Sequence, residues 1–316
     1  MIDYRSIEGT LRGGGLLPDT ITAGKLMRCK VDGDRGGKKS GAFRLFDDGV
    51  PTCVWWNWKT GDSGVWVSAS TKPMTQADRL LQRQRIEQAR REREKAQAEQ
   101  WERNHADLMR RWDDAQLLTE SCSAGLYLQR RGLVVPNTEA LRFVPALDYW
   151  HDGAMVGRFP AMLAAVTNPA GGLVAIHRTY LTSDGYKASV PTIKKLTHTA
   201  GPLAGASIKI GEPVPRSDGG LGLGVAEGIE TAIAAAMLGG VPVWPCVSAH
   251  GLAAFVLPGG LSSLYVFGDH DENGTGQKAA AQLADKAAQR GVVARVLIPP
   301  ALGDWNDELQ ARRAAA

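Results

Sequence analysis

Strand-like and helix-like segments alternate through the C-terminal third of this chain. Apolar runs that read as strands are GLGVAEG, PVWPCVSA, LSSLYVFGDHD and VVARVLIPP. Alanine-rich segments with helical propensity, IETAIAAAMLGG and GQKAAAQLADKAAQR, lie between them. Strands that alternate with helices at this spacing predict a parallel sheet covered by helices on both faces. We therefore expect an α/β domain over residues 205–316.

Acidic residues follow three of these strands. Glu227 closes the first strand, Asp269 and Asp271 close the third, and Asp304 and Asp307 come after the last. Ligands gather beyond the carboxyl ends of parallel strands, and carboxylates held close together repel each other unless a cation lies between them. Mg²⁺ or Mn²⁺ prefers such oxygen ligands. We expect all five residues to be metal ligands, with Glu227, Asp269 and Asp271 catalytic.

Simpler interpretations exist for the same acids. Aspartate is common in turns because it hydrogen-bonds its own backbone, so Asp269 and Asp271 could be solvated loop residues. Glu227 could merely complement the N-terminus of the following helix.

Three segments together carry a family resemblance. VAEGIETAIAA, VFGDHDENGTGQKAA and LGDWNDEL resemble the three acidic motifs of the Toprim domain, which DnaG-type primases, type IA and II topoisomerases and some nucleases share. The resemblance spans roughly residues 205–310 and implies that Asp269 and Asp271 are the metal-binding pair. A type IA topoisomerase does not fit, because the chain has no room for the arch that carries its tyrosine.

The segments that precede the sheet narrow this resemblance. YLQRRGL, LRFVPAL, GRFPAMLAAVTNPAGGLVAIHRTYL and KKLTHTAG are similar to the N-terminal subdomain of the primase catalytic core, especially in primases of plasmids, phages and integrative elements. We place this α+β subdomain at residues 116–204. The resemblance implies an enzyme that joins nucleoside triphosphates into short primers on single-stranded DNA, which it binds in a basic groove.

Basic residues in and after this subdomain are candidates for binding nucleotide or template phosphates. Each of them could equally be an ordinary surface residue. Lys194 and Lys195 are favoured because they lie in a segment rich in Gly and Thr that reads as a loop. A tight turn at Gly274 would let backbone approach a phosphate. The full set of candidates is Arg158, Arg178, Lys187, Lys194, Lys195, Lys209, Gly274 and Lys278.

Residues 1–72 predict a small β-rich domain, and residues 73–115 predict a long charged helix. The small domain resembles the zinc ribbon of the family, but only Cys29 and Cys53 remain of its ligands. A structural zinc site needs four ligands, so no zinc is expected. Tryptophans 55, 56 and 58 form a small core or stack on bases. The helix has few apolar positions and reads as a solvated connector, with nucleic-acid contact as the alternative.

Composition limits the partners. A net charge of +4 is compatible with a polyanion, and no apolar run reaches the ~20 residues of a membrane helix, so we expect no membrane partner. The segment MIDYRSIEGTLRGGG lacks the basic-then-apolar pattern of a secretory signal, so we expect a cytoplasmic protein. No P-loop motif is present, so any helicase it serves is a separate protein. A Toprim nuclease and a non-catalytic single-strand-binding module remain as alternatives to a primase.

Overall fold

The computed structural model describes residues 2–48, 50–68 and 75–315. The chain divides into two compact units. The first unit comprises Met1–Gln100 with Trp150–Ala154, and the second comprises Trp101–Tyr149 with Met155–Ala316. The domain boundaries expected from the sequence remain a prediction.

A five-stranded antiparallel sheet, here the N-terminal sheet, forms the body of the first unit, with strand order β1-β2-β3-β4-β5. A helix that the sequence pattern did not indicate, α1, buries Ile7 and Leu11 against it. Trp56 is buried and Trp58 packs beside it, which supports the core interpretation of these tryptophans. The elements are α1 (Tyr4–Gly13), β1 (Leu16–Leu17), β2 (Leu26–Val31), β3 (Gly41–Phe46), β4 (Thr52–Asn57) and β5 (Ser63–Val67).

The long charged helix is confirmed as α2 (Gln76–Asp113), whose 38 residues contribute to both units. The expectation that it would be a solvated connector is wrong in part. Within the first unit Ala89 is fully buried, and within the second Leu108 is 1% exposed. Single small or apolar residues are enough to anchor a helix whose remaining faces are charged. The sequence analysis missed them because two isolated positions produce no apolar periodicity along a helix of 38 residues.

A second antiparallel sheet, the middle sheet, has strand order β10-β9-β8-β7-β6 and begins the second unit. The hairpin expected around the NPAGG turn is confirmed, since β8 and β9 pair on either side of it. One face packs on α3 and on the C-terminal sheet, and the other packs on Leu108. The elements are β6 (Gln116–Leu117), α3 (Ser123–Arg130), β7 (Leu141–His151), β8 (Ala154–Thr167), β9 (Leu173–Tyr180) and β10 (Lys194–Leu196).

The C-terminal sheet confirms the predicted α/β alternation. Strands β13, β12, β14 and β15 are parallel in that spatial order, and the short β11 pairs antiparallel with β12. Helices cover both faces. The elements are β11 (Val214–Pro215), β12 (Leu221–Ala226), α4 (Ile229–Gly239), β13 (Val243–Pro245), α5 (Ala249–Ala254), β14 (Leu261–Phe267), α6 (Thr275–Ala288), β15 (Val293–Leu297) and α7 (Trp305–Ala315).

Gly125 in α3 is required by close backbone packing. A Cβ at this position would lie 2.8 Å from the Cα of Glu120 and would overlap the carbonyl oxygen of Thr119. We expect Gly125→Ala to lower the free energy of unfolding by about 1–3 kcal/mol, because rigid backbone on both sides must move apart. Urea denaturation of the two proteins measures the change.

Gly9→Ala is the matched control. Gly9 also lies in a helix, but nothing is within 4 Å of its added Cβ. Alanine is the better helix former by about 0.5–1 kcal/mol, so this variant should be more stable than the wild type. Equal stability of Gly125→Ala and the wild type would contradict the packing described for α3.

Candidate active site

The parallel register brings the acidic segments to one edge of the C-terminal sheet. Ala226 at the end of β12 lies opposite Phe267 at the end of β14, which in turn lies opposite Leu297 of β15. Glu227 and Asp269 therefore leave the sheet from adjacent strands. The loop after β15 is tied back to them, because the backbone of Gly303 exchanges two hydrogen bonds with His270.

Asp269 is the most perturbed carboxyl of this edge. Its Oδ1 is buried and has no hydrogen-bond partner. Burial, followed by the charges of Glu227, Asp304 and Asp271, raises the pKa of Asp269 to about 7, and Lys194 opposes this shift. An unpartnered buried carboxylate oxygen surrounded by other carboxylates is the environment that a bound cation would relieve.

Glu227 lies two residues before Ile229, the first residue of α4. Burial and then the charge of Asp271 raise its pKa, while a hydrogen bond with the backbone of Ala249 and the charge of Lys194 act in the opposite direction. A glutamate with a raised pKa holds a proton more readily than a solvated one, which suits a general base.

The remaining three acids have local structural partners. Asp271 Oδ2 accepts a hydrogen bond from the backbone of Gly276 in the first turn of α6, at 3.0 Å. Asp304 Oδ1 accepts from the amides of Asn306 and Asp307 at 2.8 and 3.0 Å, and Asp307 Oδ2 accepts from the Asp304 amide at 3.0 Å. These bonds are typical of helix capping. A capping role therefore accounts for Asp271 and Asp307 without a metal.

A cavity of about 240 Å³ lies between the edge of the C-terminal sheet and the middle sheet, and we refer to it as the acidic cavity. Acids from all three motifs line it: Glu227 and Glu230 from the first, Asp269 from the second and Asp304 from the third. Asp271 and Asp307 are not among its lining residues. The complete lining is Arg131, His177, Lys187, Lys194, Ile208, Glu227, Gly228, Ile229, Glu230, Thr231, Val247, Asp269 and Asp304.

Lys194 is held in this cavity by a buried glutamate that the sequence analysis missed. Its Nζ donates to Glu230 Oε2 at 2.7 Å, and the Tyr127 hydroxyl donates to Glu230 Oε1 at 2.7 Å. The Glu230 side chain is 4% exposed. Lys194 itself lies in strand β10, whereas the sequence analysis expected a loop. The pattern did not indicate this strand because β10 has only three residues, which pair with β9. Glu230 follows Glu227 by three residues in EGIE, which was the available signal.

Two of the predicted phosphate-binding residues, Lys187 and Lys194, line the acidic cavity. The other side chains are placed elsewhere. Arg178 follows His177 on β9 and therefore points to the opposite face of the middle sheet, where it donates to the Leu196 carbonyl at 2.8 Å. Lys195 lies 3.9 Å from the centroid of the Tyr149 ring.

The last four candidates lie outside the lining of the cavity. Arg158 pairs with Asp148 at 2.7 Å, and Lys209 lies 5.6 Å from the Trp244 ring centroid. Lys278 is exposed on α6. Gly274 precedes α6 with φ +68°, a left-handed conformation that favours glycine, so the expected tight turn is present. Phosphate binding by any of these residues stays a prediction.

The chemistry of the donors fits a divalent cation. Asp269 offers a buried, unpartnered oxygen beside other carboxylates. In the described part of the chain, no three His, Cys, Asp or Glu side chains are grouped tightly enough to enclose a metal ion. Mg²⁺ is commonly bound through one or two carboxylates and completes its shell with water and substrate phosphate oxygens, so an open set of donors is compatible with it. Asp269 and Asp304 would hold it, which leaves Glu227 beside them as a base.

Glu230 should make stability depend on acidic pH. Burial alone raises a carboxyl pKa, but the charge of Lys194 and hydrogen bonds from Lys194 and Tyr127 outweigh it and lower the pKa of Glu230 from 4.5 to about 2. The stabilisation is therefore complete above pH 4.5 and is lost as the pH falls towards 2. In Glu230→Gln this part of the pH dependence should disappear.

Urea unfolding at several pH values between 2 and 6 measures the effect. The matched control is Glu87→Gln, which removes an exposed carboxylate that pairs with Arg91 on the surface of α2 and should leave the acid dependence of the wild type in place. An unchanged profile in Glu230→Gln would contradict the charged pair.

Two models of protein families match separate parts of the second unit. Residues 222–315 match the model of the Toprim domain, and residues 102–209 match a domain of unknown function, DUF7146. No curated protein has a sequence that matches this chain. In the part of the chain that the structure describes, no helix combines the length and the apolarity needed to cross a membrane.

Several solved primase structures are similar to the chain at low identity. A DNA primase domain from Pseudomonas aeruginosa is 16% identical, with a TM-score of 0.42, over 66% of this chain and 74% of that one. The primase fragment of the bacteriophage T7 primase-helicase protein is 15% identical, with a TM-score of 0.37, over 87% and 91%. The Aquifex aeolicus primase, with its zinc-binding and RNA polymerase domains, is 11% identical, with a TM-score of 0.43, over 98% and 80%.

The predicted fold class is confirmed. The chain has a mixed α/β architecture in which antiparallel sheets precede a parallel one, and the acidic motifs of that parallel sheet lie inside the matched region. Residues 222–315 are a Toprim domain.

Proposed function

We propose that this protein is a DNA primase that synthesises short primers on single-stranded DNA by metal-dependent nucleotidyl transfer. The observation that carries the proposal is the acidic cavity, which acids of all three Toprim motifs line together with Lys187 and Lys194. The carboxylates of this cavity suit a divalent cation, and its ammonium groups suit the phosphates of a nucleoside triphosphate.

The reaction joins two nucleotides. The 3′-oxygen of one forms a bond to the α-phosphorus of a nucleoside triphosphate, and the bond from that phosphorus to its bridging oxygen breaks, so that pyrophosphate leaves with the electron pair. Mg²⁺ or Mn²⁺, when bound by the carboxylates, would neutralise phosphate charge and lower the pKa of the attacking hydroxyl. Glu227, whose pKa is raised by burial, would accept the proton of the 3′-hydroxyl.

The two lysines would bind and orient the triphosphate. Lys194 is fixed by Glu230 and does not need to be ordered when the nucleotide binds, so it can place the phosphates near Asp269 at a reduced entropic cost. Lys187 is exposed at the same cavity and would add a second positive charge.

The partners of the proposed reaction are single-stranded DNA and nucleoside triphosphates. We further propose that the primers serve the replication or transfer of a mobile element and that a separate helicase unwinds the template. The resemblance of segments such as YLQRRGL and KKLTHTAG to primases of plasmids, phages and integrative elements motivates this role.

Asp269→Asn should abolish primer synthesis, because it removes the charge of the buried carboxylate without changing its size. Single-stranded DNA, labelled nucleoside triphosphates and Mg²⁺ or Mn²⁺ are incubated with each protein, and products are resolved on a denaturing gel. We expect short labelled products from the wild type and a loss of at least about 100-fold in Asp269→Asn, the magnitude typical of a missing electrostatic group in an active site.

Asp285→Asn is the matched control, since Asp285 is exposed on α6 and lies outside the cavity, and it should retain wild-type synthesis. Template cleavage without labelled products would replace the proposal with a Toprim nuclease. Binding of DNA with neither reaction would replace it with a non-catalytic binding module.

A further inference from the structure

A second cavity, of about 220 Å³, lies on the face of the middle sheet that is turned away from the acidic cavity. Side chains of β7, β8 and β9 and of the end of α2 form most of its lining, and none of them lines the acidic cavity. We call it the arginine cavity, because Arg178 of β9 and Arg111 of α2 both contribute to it. The proposed reaction does not use this cavity.

Arg178 is a partly buried cation without an anionic partner. Its Nη2 donates to the Leu196 carbonyl at 2.8 Å and its Nη1 donates to the Tyr180 hydroxyl at 3.4 Å, and both acceptors are neutral. Among the described residues, no carboxylate forms an ion pair with this guanidinium. Burial lowers the pKa of Arg178 and the charge of Arg111 lowers it further, while Tyr180 acts in the opposite direction. Buried charges are normally paired, so Arg178 lacks an anion.

The neighbouring charges add to this imbalance. Lys195 of β10 lies directly opposite Arg178 in the sheet, and like charges at such positions are unfavourable. Arg111 pairs with Asp107, one turn earlier on α2, at 2.6 Å. Asp114 also lines the cavity, but it is exposed and forms an ion pair with neither arginine. The nearby carboxylates therefore do not supply the negative charge that would balance this face.

Most of the remaining lining is aliphatic, and it consists of Val144, Leu147, Leu163 and Ile176. An apolar cavity of roughly 150 Å³ holds a benzene ring. The volume of about 220 Å³ thus leaves room for a ring or a short chain together with one anionic group. Guanidinium groups pair well with carboxylates, because the planar fork of N–H donors matches the two oxygens. Apolar walls beside two arginines suit a compact organic anion better than a polyphosphate.

We propose that the arginine cavity is a binding site for a small organic carboxylate, whose charged group pairs with Arg178 and Arg111 and whose apolar body contacts the aliphatic side chains. Arg111 belongs to α2 and Arg178 to β9, so the bound carboxylate joins the end of the helix to the middle sheet. The site shares no residue with the acidic cavity and does not depend on the proposed function.

Ligands that share a shape and differ in charge test the site without a variant. The full chain is titrated with benzoate, benzamide and benzamidinium, and separately with hexanoate and hexanamide, by ligand-observed NMR at neutral pH and one ionic strength. The carboxylates should bind saturably, the neutral amides at least about 10-fold more weakly, and the cation most weakly. Amides that bind as tightly as both carboxylates, or carboxylates that do not bind, would overturn the proposal.

Three substitutions then locate the charged group of the ligand. Arg178→Gln removes the positive charge and keeps a donor, so benzoate should bind about 10-fold more weakly while benzamide changes little. Arg111→Gln alters an exposed residue and should weaken benzoate by a smaller factor. Asp114→Asn removes the negative charge of the lining and should strengthen the binding of benzoate.

Arg91→Gln is the matched control, because Arg91 pairs with Glu87 on α2 as Arg111 pairs with Asp107, and it lies outside the cavity. It should bind benzoate like the wild type. Circular dichroism establishes that each variant folds, and if Arg178→Gln does not, the result with Arg111→Gln decides. Wild-type affinity for benzoate in every folded variant of the two cavity arginines would reject the site.

Discussion

Repulsion between carboxylates at one edge of a parallel sheet is the constraint on which the proposed site depends. Glu227 and Asp269 leave adjacent strands, and the loop that bears Asp304 is tied to the Asp269 segment through His270 and Gly303. Burial, followed by this repulsion, raises the pKa of Asp269 to about 7. Such an arrangement is unfavourable by itself and becomes favourable when a cation and the charges of phosphates enter.

A second electrostatic interaction positions Lys194 in the same cavity. Glu230 is nearly inaccessible, yet its pKa falls to about 2 because Lys194 and Tyr127 satisfy both of its oxygens. Tyr127 and Lys194 belong to the segment that precedes the Toprim domain, and Glu230 belongs to the domain itself. The ion pair of Lys194 and Glu230 thus joins the two matched segments. It also holds the ammonium group of Lys194 in the cavity that Glu227, Asp269 and Asp304 line.

The sequence predicted the C-terminal architecture because local patterns determine it. Apolar strands, alanine-rich helices and acids at strand ends are visible residue by residue, and the parallel register follows from the alternation. It did not predict the role of Glu230, since a glutamate in the first turn of a helix reads as solvated, and only Tyr127, 103 positions away, shows that it is buried.

The sequence also did not determine where the side chains of the basic residues and of His270, in the second acidic motif, would point. Neighbours in sequence such as His177 and Arg178 point to opposite faces, so charge alone does not say which of them reaches the cavity. The same alternation would have placed His270 opposite the two aspartates, but β14 ends at Phe267 and the rule no longer applies. His270 instead contacts the Pro299 carbonyl through Nδ1 at 3.0 Å.

The most direct test of the account is a titration of the protein with Mn²⁺ followed by electron paramagnetic resonance, with and without a nucleoside triphosphate. The account predicts saturable binding to the wild type, tighter binding when nucleotide is present, and loss of both in Asp269→Asn, because the buried oxygen of Asp269 is the donor that lacks any other partner. Equal binding of Mn²⁺ by Asp269→Asn and the wild type would contradict it.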